Sequence, residues 1–282
     1  MMTAIEKGQA RLVFAPEIGG AVAGFTVGGR DVLRPMAAGA TDALQAACFP
    51  LVPFCNRIPN GRFTFEGRDY VLPPNLGHHP HPLHGQGWRS AWTVEKAEGG
   101  EALLSYTHAP DAWPWAYRAE QRFTLSETGL RAELTVTNTG EAAMPAGLGF
   151  HPYFPAYPGE TLKAANDGVW LIDANVLPTE HHAGVWGPDW AAGAPVAGHE
   201  LIDHCYTGWN QRAVLSTPGR PDTAVTASTD CKWLHIYVPP GQGFLCVEPC
   251  ASRPNPFGEG DTGMMTLRPG QSRSIWMEVQ SS

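Results

Sequence analysis

Short stretches of this chain alternate apolar and polar residues, a pattern that predicts β-strands. In LRAELTVTN, every second residue from Leu130 to Val136 is apolar. A period of two places the apolar set on one face of a strand and the polar set on the opposite, solvated face. The segments KWLHIYVPP, GFLCVEP and SRSIWMEVQ predict strands with one wet face in the same way.

Glycine and proline interrupt the strand patterns along the whole chain. In GRFTFEGRDYVL, Phe63 and Phe65 share a face, and Glu66–Asp69 is predicted to form a hairpin turn. The 32 glycines and 26 prolines favour many short strands. No segment predicts an amphipathic helix longer than about two turns. The pattern therefore predicts an all-β protein, a large antiparallel β-sandwich with few short helices.

The organisation of the chain shows no break. No linker composition divides it, so a single domain over residues 1–282 is expected. The segment Pro178–Ala197 is rich in proline, glycine and tryptophan and is predicted to be a long surface loop. The sequence leaves open whether this loop is static or closes over a cleft.

Composition excludes several classes of protein. Hydrophobic residues make up 43% and charged residues 16%, which provides a core and argues against disorder. A net charge of −8 without a basic stripe argues against a nucleic-acid partner. No run approaches the roughly 18 apolar residues that a membrane helix needs. The start, MMTAIEKGQARLVFAP, does not resemble a signal peptide, so a cytoplasmic protein is expected. Its oligomeric state is left open.

The cysteines show no paired spacing. Cys246 and Cys250 are the only close pair, and no second pair completes a zinc site. Reduced thiols are therefore expected at all six positions, which are Cys48, Cys55, Cys205, Cys231, Cys246 and Cys250. Cys205 and Cys246 lie in apolar surroundings and are expected to be structural.

The segment GHHPHPLHGQGW carries four histidines within seven residues. Prolines hold it extended, so His79 and His81 are expected to share a face. A zinc site needs three or four converging ligands, and this segment provides two or three at best. His78, His79 and His81 are therefore expected in a solvent-exposed loop.

His84 differs from the other three histidines of this segment. It adjoins Gly85, where a backbone can approach a ligand closely, and it precedes Trp88 and Trp92. The rings of these tryptophans are candidates for stacking on a sugar.

Three further polar residues follow or end apolar segments. Arg57, in CNRIPNGRF, follows FPLVPF and is expected to be partly buried, either in a structural salt bridge or holding sugar hydroxyls. His151, in GLGFHPYFP, and Glu248, in LCVEP, are each expected at the end of a buried strand. His151 alone could be a satisfied core residue, but an unpaired buried carboxylate is costly. Facing one cavity, the two would form an acid–base pair.

These motifs together resemble the aldose 1-epimerase (galactose mutarotase-like) family. NRI with Arg57, HGxGW with His84, GFHPYF with His151 and VEP with Glu248 occur in the family's order. LIDHCYTGW with Asp203 resembles the family's acidic motif between the second histidine and the glutamate. The five motifs span most of the chain.

The resemblance implies a β-sandwich and a cofactor-free, metal-free interconversion of the α and β anomers of a free sugar. It implies that Glu248 is the general base for the C1 hydroxyl and that His151 is the general acid for the ring oxygen. His84 would assist at the ring oxygen, while Arg57 and Asp203 would orient hydroxyls.

The chain also departs from the galactose-acting members of that family. They often have two glycines after the first histidine, where this chain has Gly85-Gln86-Gly87. The segment after Glu248, SRPNPFGEG, differs as well. Gln86, Trp88 and Asn255 are therefore the positions at which a changed sugar preference is expected.

Three alternatives remain open. A sugar-phosphate epimerase of the same superfamily would need a basic cluster, and only Arg89 and Arg253 flank the motifs. A non-catalytic carbohydrate-binding protein would suit the ten tryptophans but needs no buried histidine and glutamate. The third alternative is a metal-dependent β-sandwich enzyme.

Overall fold

The structure, a computed structural model, describes residues 2–282, and Met1 of the predicted domain lies outside this range. Three short 3-10 helices occur there, at Ala43–Gln45, Pro59–Gly61 and Gly87–Arg89. None of the helices in residues 2–282 has the length and apolar character needed to cross a bilayer. The strands are β1 (Thr3–Lys7), β2 (Ala10–Ala15), β3 (Ala21–Val27), β4 (Arg30–Asp31), β5 (Cys48–Leu51), β6 (Arg62–Phe65), β7 (Arg68–Val71), β8 (Thr93–Glu98), β9 (Glu101–His108), β10 (Tyr117–Leu125), β11 (Gly129–Asn138), β12 (Met144–Ala146), β13 (Gly149–Pro155), β14 (Thr161–Ala164), β15 (Gly168–Ile172), β16 (Pro178–Ala183), β17 (Ala194–Pro195), β18 (Ile202–Thr207), β19 (Arg212–Ser216), β20 (Thr223–Ala227), β21 (Trp233–Val238), β22 (Phe244–Cys250), β23 (Met265–Leu267) and β24 (Ser272–Ser281).

Two large antiparallel sheets dominate the fold. The first has 11 strands in the order β1-β2-β3-β5-β13-β22-β21-β18-β15-β16, with β4 beside β3. The second has nine strands in the order β17-β14-β19-β20-β24-β11-β10-β9-β8. Each sheet takes strands from both halves of the chain. The predicted all-β architecture with few short helices is confirmed, while the single domain over 1–282 stays a prediction.

The hydrophobic core lies between the two large sheets. Phe14 of β2 and Phe123 of β10 stack across it, with ring centroids 6.1 Å apart. In β11 the residues predicted to be apolar and inward, Leu130 to Val136 at every second position, are buried, while the residues between them are half-buried. The period-two reading of this strand is confirmed.

The central strands of the first sheet differ from the prediction of one wet face. In β21 and β22 nearly every residue is buried, since the core covers one face and a lined cavity covers the other. Strands buried on both faces lose the alternation between apolar and polar residues. Glu248 and His151 were predicted to lie at the ends of their strands. They instead lie inside β22 and β13.

Two predicted loops are shorter than expected. The hairpin turn between β6 and β7 contains only Glu66 and Gly67, both with positive φ, so Arg68 and Asp69 belong to the strand. The segment Pro178–Ala197 begins with strand β16, at the edge of the first sheet, and ends with the short strand β17. It is a loop only between these strands, because β15 and β14 supply hydrogen-bonding partners at its two ends.

Leu134 tests the packing of the core, because it is fully buried in the middle of β11. We expect Leu134→Ala to lower the free energy of unfolding by about 2–5 kcal/mol, since it leaves a cavity between the sheets. Arg122→Ala, on the exposed side of the neighbouring strand β10, should change it by less than about 0.5 kcal/mol. Chemical denaturation measures both, and equal effects would contradict this description of the core.

Candidate active site

Four neighbouring strands of the first sheet bring polar side chains to one face. The register pairs His235 of β21 with Glu248 of β22. The pairs Gly149–Cys250 and Tyr153–Cys246 place His151 of β13 level with Glu248 on its other side. His151, Glu248 and His235 therefore form a row across the sheet, with Asp203 of β18 beside it.

Two turns above the sheet carry the remaining polar groups. Asn56 and His84 both have left-handed backbone conformations, with φ of 55° and 58°. The backbone N–H of His84 donates to the carbonyl of Asn56 at 3.0 Å, and the N–H of Asn56 donates to Nδ1 of His84 at 3.0 Å. Because Nδ1 accepts this bond, the proton of the neutral imidazole lies on Nε2.

The turn that carries His84 is held from behind by two side chains. Asn75 and the indole N–H of Trp88 both donate to the carbonyls of Leu83 and Gly85. A Cβ atom at Gly85 would lie 2.3 Å from the carbonyl oxygen of Val52, so only glycine fits there. The glycine and tryptophan of the HGxGW motif thus fix the backbone around His84 and the direction of its side chain.

These groups enclose a cavity of about 300 Å³. Its charged and polar walls lie beside an apolar wall of leucine and aromatic side chains. The lining residues are Leu44, Asn56, Arg57, Leu76, Leu83, His84, His151, Tyr153, Asp203, His235, Tyr237, Phe244 and Glu248.

His151 and Glu248 form a close pair on the floor of this cavity. Nε2 of His151 lies 3.4 Å from Oε1 of Glu248. The ring of His151 is held between Phe49 and Tyr153, with centroid distances of 4.5 and 4.7 Å. The His84 ring stands perpendicular to it at 5.5 Å. The packing restricts the imidazole, which is what a proton donor of defined direction requires.

Burial alters the protonation of this pair. It raises the pKa of Glu248 well above the usual range, and the nearby charge of Asp203 adds to the shift. It lowers the pKa of His151 to about 3, with a smaller contribution from the charge of His235. Burial, followed by the charge of His151, also lowers the pKa of His84. The pair therefore holds one proton over a wide range of pH.

Asp203 is the centre of a second group of charges. Its Oδ1 lies 2.6 Å from Nε2 of His235, and its Oδ2 lies 4.0 Å from the guanidinium of Arg57. Burial alone would raise the pKa of Asp203, but the hydrogen bond from His235 and the charges of His235 and Arg57 lower it overall. Asp203 is therefore a carboxylate. Arg57 is partly buried, as its sequence context predicted, with 12% of its side chain exposed.

Five of the eight site residues selected from the sequence line the cavity, namely His84, His151, Glu248, Arg57 and Asp203. Gln86, Trp88 and Asn255 do not. Trp88 is 1% exposed and its ring packs on Phe49, which leaves no face open for a sugar.

Gln86 and Asn255 lie in the surrounding shell. Gln86 lines a separate cavity of about 220 Å³ behind the His84 turn. The backbone N–H of Asn255 donates to the carbonyl of Arg57, so Asn255 supports the turn that carries the arginine.

Sequence reasoning missed His235, Tyr237 and Asn56. His235 and Tyr237 stand at alternate positions of β21, WLHIYV, and so share the face that β22 gives to Glu248. The sequence signal available for His235 was a histidine within the otherwise apolar segment WLHIYV. Asn56 precedes Arg57 in the NRI motif, and asparagine adopts a left-handed backbone more readily than most residues.

The other histidines of the HHPHPLH segment lie outside the cavity walls. His78 is exposed, as expected for a solvent-exposed loop, whereas His79 is half-buried. His81 contradicts the prediction: it is 3% exposed, because its Nδ1 accepts the backbone N–H of Asn60 at 2.9 Å. The predicted sharing of a face by His79 and His81 agrees with their ring separation of 5.2 Å.

The Pro178–Ala197 segment contributes no residue to the cavity lining. Trp186, within it, packs against His204 at 4.7 Å and is 40% exposed. Trp186 therefore contacts His204, the residue that follows Asp203 in β18.

The fold and site define a class: a β-sandwich protein with a paired carboxyl and imidazole in a polar, sugar-sized cavity. The family model for aldose 1-epimerase matches residues 1–280. The chain therefore belongs to the aldose 1-epimerase family, as its motifs indicated.

Individual relatives agree with this assignment. The chain is 31% identical over 272 residues to the uncharacterized protein YphB of Escherichia coli K12, covering 93% of this chain and 92% of that one. It is 29% identical to the galactose mutarotase of Rattus norvegicus, over 50% of this chain and 43% of the rat protein.

A solved structure of a candidate aldose 1-epimerase from Escherichia coli K12 matches with a TM-score of 0.94 and 29% identity, covering 100% and 99% of the two chains. A galactose mutarotase-like protein from Clostridium acetobutylicum shares the fold, with a TM-score of 0.89 and 22% identity over 100% and 95%.

The raised pKa of Glu248 predicts a stability effect. A raised carboxyl pKa contributes stability that is complete below the usual value of 4.5 and is lost as pH rises. Glu248→Gln removes the carboxyl and therefore its loss of stability at high pH. Its Tm should exceed that of wild type by a few degrees near pH 8, because each kcal/mol of stability shifts Tm by roughly 2–4 °C. The advantage should shrink toward pH 5.

Glu141→Gln is the matched control, since Glu141 is exposed in a loop. Thermal unfolding at several pH values measures all three proteins. A Tm difference for Glu248→Gln that does not grow with pH would show that the carboxyl is not destabilised by burial.

Proposed function

We propose that this protein is an aldose 1-epimerase (mutarotase) that interconverts the α and β anomers of a free aldose. The observation that carries the proposal is the buried pair of Glu248 and His151, 3.4 Å apart on the cavity floor. Anomer exchange removes a proton from O1 and adds one to O5, two atoms bonded to the same carbon. A carboxyl and an imidazole at this spacing can serve both.

The reaction needs one proton held by the pair. Its transfer from the carboxyl to the imidazole gives a carboxylate that takes the O1 proton and an imidazolium that protonates O5. The C1–O5 bond breaks as the C1=O1 carbonyl forms, and rotation about C1–C2 presents the other face. Closure reverses both proton transfers. Mutarotation already occurs in water, so only a modest part of the usual enzymatic acceleration is required.

The other polar groups have supporting roles in this proposal. Nε2–H of His84 is a donor toward the ring oxygen, because Nδ1 is engaged by Asn56. Arg57 and the Asp203–His235 pair are suited to sugar hydroxyls, since they offer donors and an ionised acceptor in one cavity. Gln86, Trp88 and Asn255 act through the turns that they adjoin.

The sugar-phosphate alternative lacks support from the cavity. Arg57 is the only lysine or arginine among its described lining residues, and it faces Asp203. Arg253 is buried and donates to the carbonyls of Pro254 and Glu259. Arg89 donates to the carbonyl of Asn75. Neither is available for a phosphate in the cavity.

Replacing the two members of the pair tests the proposal. Glu248→Gln and His151→Ala should each lower the catalysed mutarotation rate by about 10²-fold or more, the usual contribution of a general acid or base. Polarimetry on freshly dissolved α-glucose, α-galactose, L-arabinose and D-xylose measures the rate. Glu248→Gln should still bind the sugar in calorimetry, because the amide keeps the shape of the carboxyl.

Glu141→Gln again serves as control and should leave the rate unchanged. If wild type accelerates none of these sugars, the same panel with sugar phosphates follows. Acceleration there alone, or sugar binding without any acceleration, would contradict the proposal.

The one-proton pair predicts the pH dependence of mutarotation. The catalysed rate should be flat near neutrality and fall as pH rises through the raised pKa of Glu248, because His151 then has no proton to give. On the acid side it should fall only toward the His151 pKa of about 3. Initial rates corrected for the uncatalysed reaction measure this. An acid limb near the usual histidine value of 6.5 would show that burial does not lower the His151 pKa.

A further inference from the structure

A third donor atom lies against the acid–base pair, and the proposed reaction does not use it. The thiol of Cys246, the imidazole of His151 and the carboxyl of Glu248 each place one donor atom within 4.8 Å of the other two. All three residues are buried. They form the one group of this kind among residues 2–282.

The strand register creates this group. Cys246 and Glu248 stand two residues apart on β22, so their side chains project from the same face. His151 comes from the adjacent strand β13, which pairs with β22 through Tyr153 and Cys246. A Cys-x-Glu pair on one strand and a histidine on the next converge on one point, and the central strands of a sheet hold them rigidly.

We propose that these three side chains form a binding site for one zinc ion, which inhibits the enzyme when it binds. A tetrahedral ion with bonds of about 2.0–2.1 Å holds nitrogen and oxygen ligands about 3.3–3.4 Å apart. Nε2 of His151 and Oε1 of Glu248 are 3.4 Å apart. Cys246 supplies the third ligand, and the fourth position opens to the cavity.

The donor types select the ion. A thiolate and an imidazole favour zinc and similar soft or borderline ions, whereas magnesium and calcium prefer oxygen ligands alone. Binding releases the protons of the Cys246 thiol and the Glu248 carboxyl to solvent, and the resulting thiolate and carboxylate together balance the two positive charges of zinc. His151 and Glu248 line the cavity and Cys246 does not, so the ion would enter from the sugar side.

The surroundings indicate a reversible, inhibitory ion. In permanent zinc centres the second nitrogen of a ligating histidine is almost always hydrogen-bonded. Nδ1 of His151 is buried and has no such partner among the described residues. An ion on Nε2 and the carboxylate would occupy the atoms that move the protons, so catalysis and zinc binding exclude each other.

Cobalt(II) titration tests the site without relying on activity. A cysteine-bound tetrahedral cobalt gives a sulfur-to-metal charge-transfer band and intense visible bands. We expect one cobalt per chain with these bands, displacement by zinc, and inhibition of mutarotation over the same zinc range. Cys246→Ala should lose the bands and weaken zinc binding by at least about 10–100-fold, while keeping the fold and any basal mutarotation.

Cys205→Ala is the matched control. Cys205 is also buried on this face of the sheet, opposite His235, but lies outside the donor group. It should keep both the bands and the zinc affinity. Zinc binding that survives in Cys246→Ala, or cobalt spectra without a sulfur band, would place the ion on other groups such as the surface histidines and overturn the proposal. The inhibition rests on the proposed function, whereas binding is read directly. A protein without mutarotation would therefore overturn the inhibition but leave the cobalt and zinc binding results intact.

Discussion

Glu248 and His151 lie side by side on strands that are covered on both faces, and their side chains are only 3% and 10% exposed. In such a place two separate charges are expensive, and one shared proton is favoured over none or two. The single proton held by the pair therefore follows from burial. The hydrophobic core excludes water from one side of the Glu248–His151 pair, and the other side faces the cavity.

The wall above the pair depends on backbone geometry more than on side-chain packing. Asn56 and His84, which both have left-handed backbone conformations, exchange hydrogen bonds between their two segments. Asn75 and Trp88 donate to the carbonyl of Leu83, which precedes His84. A turn held from both sides keeps the imidazole of His84 in one tautomer and one direction. In this chain the HGQGW segment thus supports the turn that carries His84.

Residues selected from the sequence divide according to what kind of signal revealed them. Glu248 and His151 were identifiable because a titratable group within an apolar segment is unusual. His235 was missed because its strand was interpreted as half-wet, and Trp88 was assigned to the sugar because an aromatic ring beside a glycine turn suits one. Local sequence does not tell which face of a buried strand meets a cavity, or which ring is already stacked.

The sequence by itself determined the strands, the antiparallel sandwich and the candidate acid and base residues, because period two and isolated polar residues are local properties. The tertiary structure decided which of them meet. Strand order and register place His151, Glu248 and His235 in one row, although they are far apart in the chain. Contacts of that kind depend on which strands become neighbours, and no local pattern encodes that choice.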